Sequence, residues 1–403
     1  MSLPELDLRA PAFWQNPFPV LSELRERGRV AITHDGTKVV LRHSDVGELL
    51  TSGQFVNEGA SLLARRGFKP GDALYDYRRR ALGALGGPEH LRVRSLVGKA
   101  LGGQYVRIVR DVVERRLPEL LALLADRDID ALQTITNRLP LDVIGEYLGI
   151  DEGERTHVDT LVREGQAKAF GREVSPAVVS RANEVFSELL AFVTTQIRER
   201  RLKPRNDMLA RLLKVEDKQQ GLTQDEVVVL FLNLFIGATE STASSMSTGL
   251  LLLAQRPDLL EALRLAPGLV DNFVEENLRL YPPNTLIANK IARHDLEFCG
   301  VRFAEGEAVI VPIPSPNRDP RAFERPDEAN LVRTPQRHFT FSLGSHFCLG
   351  HAFARIQLQA FFDILSRRVH RIELLEDGIE WEPFAAITSM KSLRLRLGLS
   401  RWP

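Results

Sequence analysis

The spacing of hydrophobic positions predicts a chain made mostly of helices, with short strands near both ends. Apolar residues recur three and four positions apart through most of the stretch from Ser44 to Leu280, as is typical of amphipathic helices. We therefore expect a mainly α fold with small β-sheets. The clearest helical segments are Val109 to Leu124, Val185 to Arg200, Gln224 to Leu253, Val270 to Leu280 and Ala352 to Val369.

Strand signals are confined to a few short regions. The β-branched runs Val30 to Ile32 and Lys38 to Leu41 flank Asp35-Gly36, and together they predict a β-hairpin. Further strands are expected in two regions, namely Leu286 to Ile313, which Gly300 and Gly306 interrupt, and Leu374 to Leu399.

Composition and charge exclude several classes of protein. The 403 residues include 53 basic and 53 acidic side chains, so no electrostatic argument favours nucleic acid as a partner. The hydrophobic share of 44% and the charged share of 26% are ordinary for globular proteins. Two cysteines cannot form a disulfide framework or a four-thiolate metal site. The length alone allows two or three domains, or one large one.

The chain shows no signal for export or for membrane anchoring. In residues 1–30, no apolar segment follows a basic start. The longest apolar run, Val227 to Gly237, is interrupted by Asn233 and is about half as long as a bilayer span. We expect a cytoplasmic protein with reduced thiols and without a membrane anchor.

The segment from Phe341 to His351 is the most informative part of the sequence. Cys348 lies just before an amphipathic helix, whose first amides and dipole favour a thiolate. Gly344 and Gly350 let the backbone approach a flat, bulky group where a Cβ would clash. A thiolate in such a loop is suited to be an axial ligand of haem iron. A lone cysteine would instead be taken as a buried, packed side chain.

This loop resembles the F-x-x-G-x-x-x-C-x-G motif of the cytochrome P450 family of haem-thiolate monooxygenases. The resemblance implies heme b (iron protoporphyrin IX) as cofactor and Cys348 as the iron ligand. It spans nearly the whole chain and implies a single domain over residues 1–403, with haem between the central long helix and the cysteine loop. Cys299 has no such loop and is predicted to be structural. The other loop residues expected to contact haem are Phe341, Gly344, His346 and Gly350.

Three other segments match the family in the expected order along the chain. Glu276 and Arg279 lie three residues apart, so they share a helix face and can pair. An exposed ion pair of this kind is common and weak. The resemblance instead implies a buried pair with a structural role.

Two cations on one helix face are suited to bind a carboxylate. His90 and Arg94 lie four residues apart, and the alternative is a solvated basic face. The resemblance implies that they bind haem propionates, together with His346. A further propionate contact is assigned to Lys290, with Arg293 as its competitor.

The central helix carries a polar cluster within an apolar segment. A carboxylate beside two hydroxyls is costly there unless it has a use, although a helix cap or an interhelical contact would also account for it. The resemblance implies an acid–alcohol pair that passes protons during oxygen activation, with Glu240 as acid and Ser241 or Thr242 as alcohol. Serine replaces the usual threonine, and Ala238 stands where the family usually has glycine.

The resemblance implies a monooxygenase that hydroxylates or epoxidises a mid-sized, largely apolar substrate with O2, within secondary metabolism. Since the chain has no nucleotide-binding glycine motif and no iron–sulfur cysteine set, electrons are expected from ferredoxin and ferredoxin reductase. The protein is expected to be a monomer. The alternatives are oxidative coupling, an isomerase or dehydratase, a peroxide-driven enzyme, and a non-catalytic haem sensor. The regions expected to line the substrate are Gly59 to Gly83, Arg163 to Val178, Leu234 to Ser241, Asn284 to Asn289 and Ala385 to Met390.

Overall fold

The computed structural model describes residues 3–103, 105–124, 127–171, 175–216, 221–382, 387–388 and 390–399. Within these residues helices dominate and the strands form small sheets, which confirms the predicted fold class. The expected turn Ala385 to Met390 lies largely outside the described residues, and so do residues 172–174 of the expected segment Arg163 to Val178.

The five predicted helical segments all form helices. They are α7 (Tyr105–Ala122), α10 (Pro176–Leu202), α12 (Gln224–Gln255), α14 (Val270–Leu280) and α16 (His351–Arg368). A reciprocal capping pair precedes α12: the Glu226 amide donates to Thr223 Oγ1 (3.2 Å), and the Thr223 amide donates to the Glu226 carboxylate (2.8 Å). In α10, Ser175 Oγ accepts from the Val178 amide (3.3 Å). The α-helices of the described residues are α1 Pro11–Gln15, α2 Phe18–Arg27, α3 His43–Thr51, α4 Ser61–Arg65, α5 Ala73–Arg80, α6 Gly87–Leu101, α7 Tyr105–Ala122, α8 Arg138–Leu148, α9 Glu152–Phe170, α10 Pro176–Leu202, α11 Met208–Glu216, α12 Gln224–Gln255, α13 Pro257–Leu265, α14 Val270–Leu280, α15 Pro314–Asn317 and α16 His351–Arg368.

The strands of the described residues form three sheets. The largest has the order β1-β2-β3-β9-β6-β4, and the others are β10-β11-β5 and β7-β8. The predicted hairpin is β2-β3, antiparallel with Val30 opposite Val40. The strands are β1 Glu5–Leu6, β2 Val30–Thr33, β3 Lys38–Val40, β4 Phe55–Asn57, β5 Asp128–Asp130, β6 Leu286–Ala292, β7 Leu296–Phe298, β8 Val301–Phe303, β9 Ala308–Pro312, β10 Val369–Trp381 and β11 Met390–Leu399.

Two short strands lie inside the region where the spacing predicts helices. β5 is three residues long and pairs with β11, with Ile129 opposite Leu395. β4 is also three residues long and joins the edge of the largest sheet. A strand of three residues is too short to show an alternation of apolar and polar positions. Both strands are held by partners that are distant in sequence.

The residues cluster into two compact units that are interleaved along the chain. One comprises residues 1–56, 113–139 and 240–403, and the other residues 57–112 and 140–239. Three of the boundaries fall inside α7, α8 and α12 rather than in exposed linkers, where domain boundaries usually lie. One domain over residues 1–403 therefore stays the prediction.

Helix α12 is the long apolar helix that the sequence predicts. By length and composition alone it would suffice to cross a membrane, and most of its apolar stretch is buried inside the protein. Phe231, Phe235, Met246 and Leu250 are among its fully covered side chains. Burial in a protein core accounts for this apolar character.

Candidate active site

The backbone of the cysteine loop is shaped by two residues with positive φ. Ser342 has φ +59° and Gly344 has φ +72°. A Cβ on Gly344 would lie 2.5 Å from the Leu50 carbonyl oxygen, so glycine is required there for both conformation and space. The Cys348 amide donates to the Phe341 carbonyl (2.9 Å) and closes the loop.

Cys348 is presented three residues ahead of helix α16. Its side chain is half-buried. Gly350 is the residue before the helix, and a Cβ on it would meet open space, apart from its own chain neighbours, among the described residues. Leu349 and Phe353 also keep accessible surface despite being apolar. The loop therefore offers a thiol and an open apolar surface to a flat group.

A charged cluster supports this loop from α14 and α16. Arg355 binds both oxygens of Glu275 (2.7 and 2.9 Å), and its guanidinium lies 4.3 Å from the centre of the Phe341 ring. His338 also contacts the Glu275 carboxylate (3.1 Å). Burial acts to raise the pKa of Glu275, but the hydrogen bonds from Arg355 and His338 outweigh it and lower that pKa to about 2. No local sequence pattern predicts this cluster, because Arg355 and Glu275 lie 80 positions apart.

Glu276 and Arg279 form a buried bidentate ion pair in α14, with distances of 2.8 and 2.9 Å. Arg279 also donates to the backbone carbonyls of Asn317 (3.1 Å) and Glu328 (3.0 Å). Through these bonds the helix fixes the long segment that leads to the cysteine loop. The pair is therefore buried, as expected from the sequence, and is not an exposed ion pair on the helix surface.

Arg333 is a third member of this group that the sequence analysis missed. Its Nε donates to Glu276 (3.0 Å), and the Asn330 amide donates to the other oxygen of that carboxylate (2.9 Å). Burial acts to raise the pKa of Glu276, whereas Arg279, Asn330 and Arg333 lower it, with a net lowering. Arg333 lies in a turn with no helical or strand spacing, so no sequence pattern distinguishes it.

Cys299 lies in surroundings that disfavour a thiolate. Burial first, and then the nearby Asp45 carboxylate, raise the pKa of the Cys299 thiol to about 12. A thiol with this pKa is protonated at neutral pH and is a poor ligand for a metal ion. Its φ of +56° places it in the turn between β7 and β8, as a structural residue.

The middle of α12 has one accessible face. This face is formed by residues that are adjacent or lie three or four positions apart and that each keep accessible surface, namely Leu234, Gly237, Ala238 and Ser241. Glu240 is half-buried beside them, whereas Thr242 is 2% exposed. The Ser245 hydroxyl donates to the Ser241 carbonyl (3.0 Å), an added bond within the helix. Of the two candidate residues, Ser241 keeps accessible surface, whereas Thr242 is buried.

Comparison with known proteins decides the family. The family model described as "Cytochrome P450" matches residues 174–265 and 268–370. "Putative cytochrome P450 140" of Mycobacterium tuberculosis is 30% identical, over 88% of this chain and 84% of that protein. The chain belongs to the cytochrome P450 family.

Two further relatives agree with this assignment. "Polyketide biosynthesis cytochrome P450 PksS" of Bacillus subtilis is 27% identical over 96% of each chain. Its solved structure superposes with a TM-score of 0.85 and covers 96% of this chain and 99% of that chain. "6-deoxyerythronolide B hydroxylase" of Saccharopolyspora erythraea is 29% identical over 78% of each protein. This chain is accordingly a haem-dependent P450 monooxygenase of bacterial type.

His90 and Arg94 of α6, predicted from the sequence to bind haem propionates, share one face of that helix. His90 is 2% exposed and Arg94 is half-buried, one turn apart on the same face, whereas Arg92 and Lys99 are exposed. Arg92 pairs with Glu226. The two residues predicted to bind propionate are thus separated from the solvated face of the helix.

Lys290 and Arg293 differ sharply in burial. Lys290 is 5% exposed, and no hydrogen bond or ion pair reaches its side chain from the described residues. Burial alone lowers its pKa to about 8. Arg293 is exposed. A buried amine without an anion among the described residues is suited to bind a carboxylate, so the assignment of Lys290 to a propionate stays a prediction.

Two of the regions expected to line the substrate meet around a cavity of about 1090 Å³. All of its lining residues belong to the unit made of residues 57–112 and 140–239. A cavity of this size is large enough for a mid-sized organic molecule. Its walls include Arg66, Lys69 and Asp72 from the first region, and Ser175 and Pro176 from the second.

Proposed function

We propose that this P450 inserts one oxygen atom from O2 into a mid-sized, largely apolar substrate, by hydroxylation or epoxidation. The observation that supports this most is the pairing of a cysteine loop shaped for an iron ligand with a carboxylate and hydroxyl on the accessible face of α12. The relatives named for polyketide biosynthesis and for hydroxylation support a substrate from secondary metabolism.

The residues divide into those that hold the cofactor and those that handle protons. Cys348 would ligate the iron of heme b, and four other side chains would bind its propionates. A thiolate-ligated haem, when bound, supplies the chemistry that activates O2. Phe341, Gly344 and Gly350 would shape the loop against the ring. The propionate ligands would be His90, Arg94, Lys290 and His346.

Glu240 and Ser241 would deliver protons to the reacting oxygen. The half-buried Glu240 carboxylate can take up a proton from solvent, and the Ser241 hydroxyl on the accessible face can pass it on through ordered water. Ser241 lacks the methyl group that restrains threonine about χ1, so its hydroxyl is held less tightly. Thr242 points into the packed side of α12 and is the weaker candidate.

Coupling of reductant to product tests this assignment. With a compound that shifts the haem spin state, Ser241→Ala is expected to lower product per NAD(P)H several-fold and to raise peroxide release, since proton delivery fails. Thr242→Ala is the matched control on the same helix and should change the ratio little. If Ser241→Ala leaves the ratio unchanged, the role assigned to Ser241 is wrong.

The pH dependence of stability tests Lys290. In protein prepared without haem, the folded state binds fewer protons than the unfolded chain between about pH 8 and the ordinary lysine value of 10.5. The free energy of unfolding should therefore rise with pH across that window, by at most about 3 kcal/mol. Urea unfolding of wild type and Lys290→Met should show that only wild type has this rise.

Haem should remove the rise in wild type, because a propionate beside Lys290 restores the charged amine. Lys99→Met, which removes an exposed lysine, is the control and should behave as wild type. A rise that persists unchanged with haem bound would contradict the assignment of Lys290 to a propionate.

The electron donor would be a ferredoxin reduced by ferredoxin reductase. P450 relatives of this kind use a redox partner, and the described residues contain no cluster of three metal-binding side chains that could hold another centre. Lys99 and Arg337 are exposed and are the candidates for docking an acidic partner, whereas Arg92 and Arg355 are paired with Glu226 and Glu275. We place the protein in the cytoplasm, as a monomer.

A further inference from the structure

Helix α5 carries three consecutive arginines, and one of them differs from its neighbours. Arg79 pairs with Asp76 (3.8 Å) and Arg80 with Asp225 (2.7 Å), and both are exposed. Arg78 is half-buried, and no hydrogen bond or ion pair reaches its side chain from the described part of the chain. Because its side chain is partly shielded from solvent and has no protein partner among the described residues, the Arg78 guanidinium keeps accessible donors that a ligand can use.

The helix is held firmly on both sides, so Arg78 is not on a loose segment. The Tyr77 hydroxyl accepts from the Asn233 amide group of α12, and Asn233 Oδ1 in turn accepts from the Leu82 amide (3.0 Å). The Tyr77 ring lies 5.1 Å from that of Phe186 in α10. These contacts fix the backbone on either side of Arg78.

Within the described residues, no anion is paired with Arg78. Burial lowers the pKa of Arg78, whereas Tyr77, when ionised, and Glu58 act to raise it. Burial raises the pKa of Tyr77 to about 12, so it is neutral at physiological pH. Both oxygens of the buried Glu58 carboxylate are bound by Arg65, at 2.8 and 3.1 Å.

The segment that carries Arg78 is the first region expected to line the substrate, Gly59 to Gly83. The propionates of the proposed haem already have four assigned partners, so Arg78 is surplus to cofactor binding. We propose that Arg78 binds a carboxylate of the substrate, which is then an apolar molecule with one acidic end. This inference rests on the proposed function, because it describes the ligand of the same site.

Arginine is suited to this role because its planar donors match both oxygens of a carboxylate. A lysine would supply charge without that fork. The carboxylate would fix one end of an apolar chain and so select which carbon reaches the haem.

Spectral titration of the holoenzyme with matched pairs of ligands tests the proposal. The probes are dodecanoate and tetradecanoate, each against the primary alcohol of the same chain length, followed by the haem spin-state shift. Wild type should bind the acids roughly tenfold or more tightly than the alcohols, as charged hydrogen bonds imply. Arg78→Gln should remove that preference while affinity for the alcohols stays unchanged.

Arg79→Gln is the matched control from the same helix and should keep the wild-type preference for acids. If wild type binds the acids no more tightly than the alcohols, or if Arg78→Gln keeps the preference, the proposal is overturned. A loss of bound haem in Arg78→Gln would assign Arg78 to a propionate and would also overturn it.

Thermal unfolding without ligand separates a binding role from a structural one. Arg78→Met should leave the Tm unchanged or raise it, because it removes an unpaired charge. A lower Tm would show that Arg78 serves the fold and would contradict the proposal.

The ferrous CO spectrum of wild type reports on the haem-thiolate assignment, and NAD(P)H-driven turnover with a ferredoxin system reports on the proposed oxygenation. Failure of either in wild type is thus distinguishable from failure of carboxylate binding.

Discussion

Replacing Arg279 with leucine is expected to lower the free energy of unfolding by about 3–5 kcal/mol. The substitution leaves the Glu276 carboxylate buried with one of its cations removed, and it removes a hydrogen bond from each of three backbone carbonyls, those of Asn317, Pro326 and Glu328. It also loosens the segment that leads to the cysteine loop, so less haem should be retained. Urea unfolding and the haem-to-protein ratio measure the two effects.

Arg264→Leu is a matched control, because Arg264 and Glu261 form an i,i+3 pair on α13 that is partly exposed to solvent. Removing that pair should cost less than about 1 kcal/mol. If the two variants are equally stable, Arg279 and Glu276 do not contribute as a buried pair, and the structural role given to them is wrong.

Replacing Cys348 with alanine is expected to abolish oxygenation altogether. The variant lacks the thiolate that the proposed function needs as an axial ligand, while the loop backbone, closed by the Cys348 amide, can form unchanged. Turnover with NAD(P)H and a ferredoxin system, normalised to folded protein, measures the loss. A far-ultraviolet circular dichroism spectrum shows whether the fold is retained.

The chain supplies its own control in its second cysteine. Cys299→Ala removes a protonated thiol in the turn between β7 and β8 and should leave turnover unchanged. Loss of activity in Cys299→Ala with full activity in Cys348→Ala would reverse the roles of the two cysteines.

The features that could be predicted from sequence are those with a period or a long motif. The helices α7, α10, α12, α14 and α16 follow from apolar residues at helical spacing, and the hairpin β2-β3 from its turn. Cys348 follows from a loop motif ten residues long. In each case the information lies within a short stretch of chain.

The features that could not be predicted depend on partners distant in sequence. β5 exists because β11 pairs with it. Arg333 binds Glu276 across 57 positions, and Arg355 binds Glu275 across 80. Arg78 is distinguished only by the lack of a partner that Arg79 and Arg80 have, which no local pattern of three arginines can reveal.

The ferrous CO absorption spectrum of the purified protein is the most direct test of Cys348 as the haem ligand. A thiolate ligand gives a Soret band at distinctly longer wavelength than a histidine ligand does, and we expect that long-wavelength band in wild type. We expect the band to persist in Cys299→Ala and to be absent in Cys348→Ala. A histidine-type band in correctly folded wild-type protein would contradict the account of the cysteine loop given above.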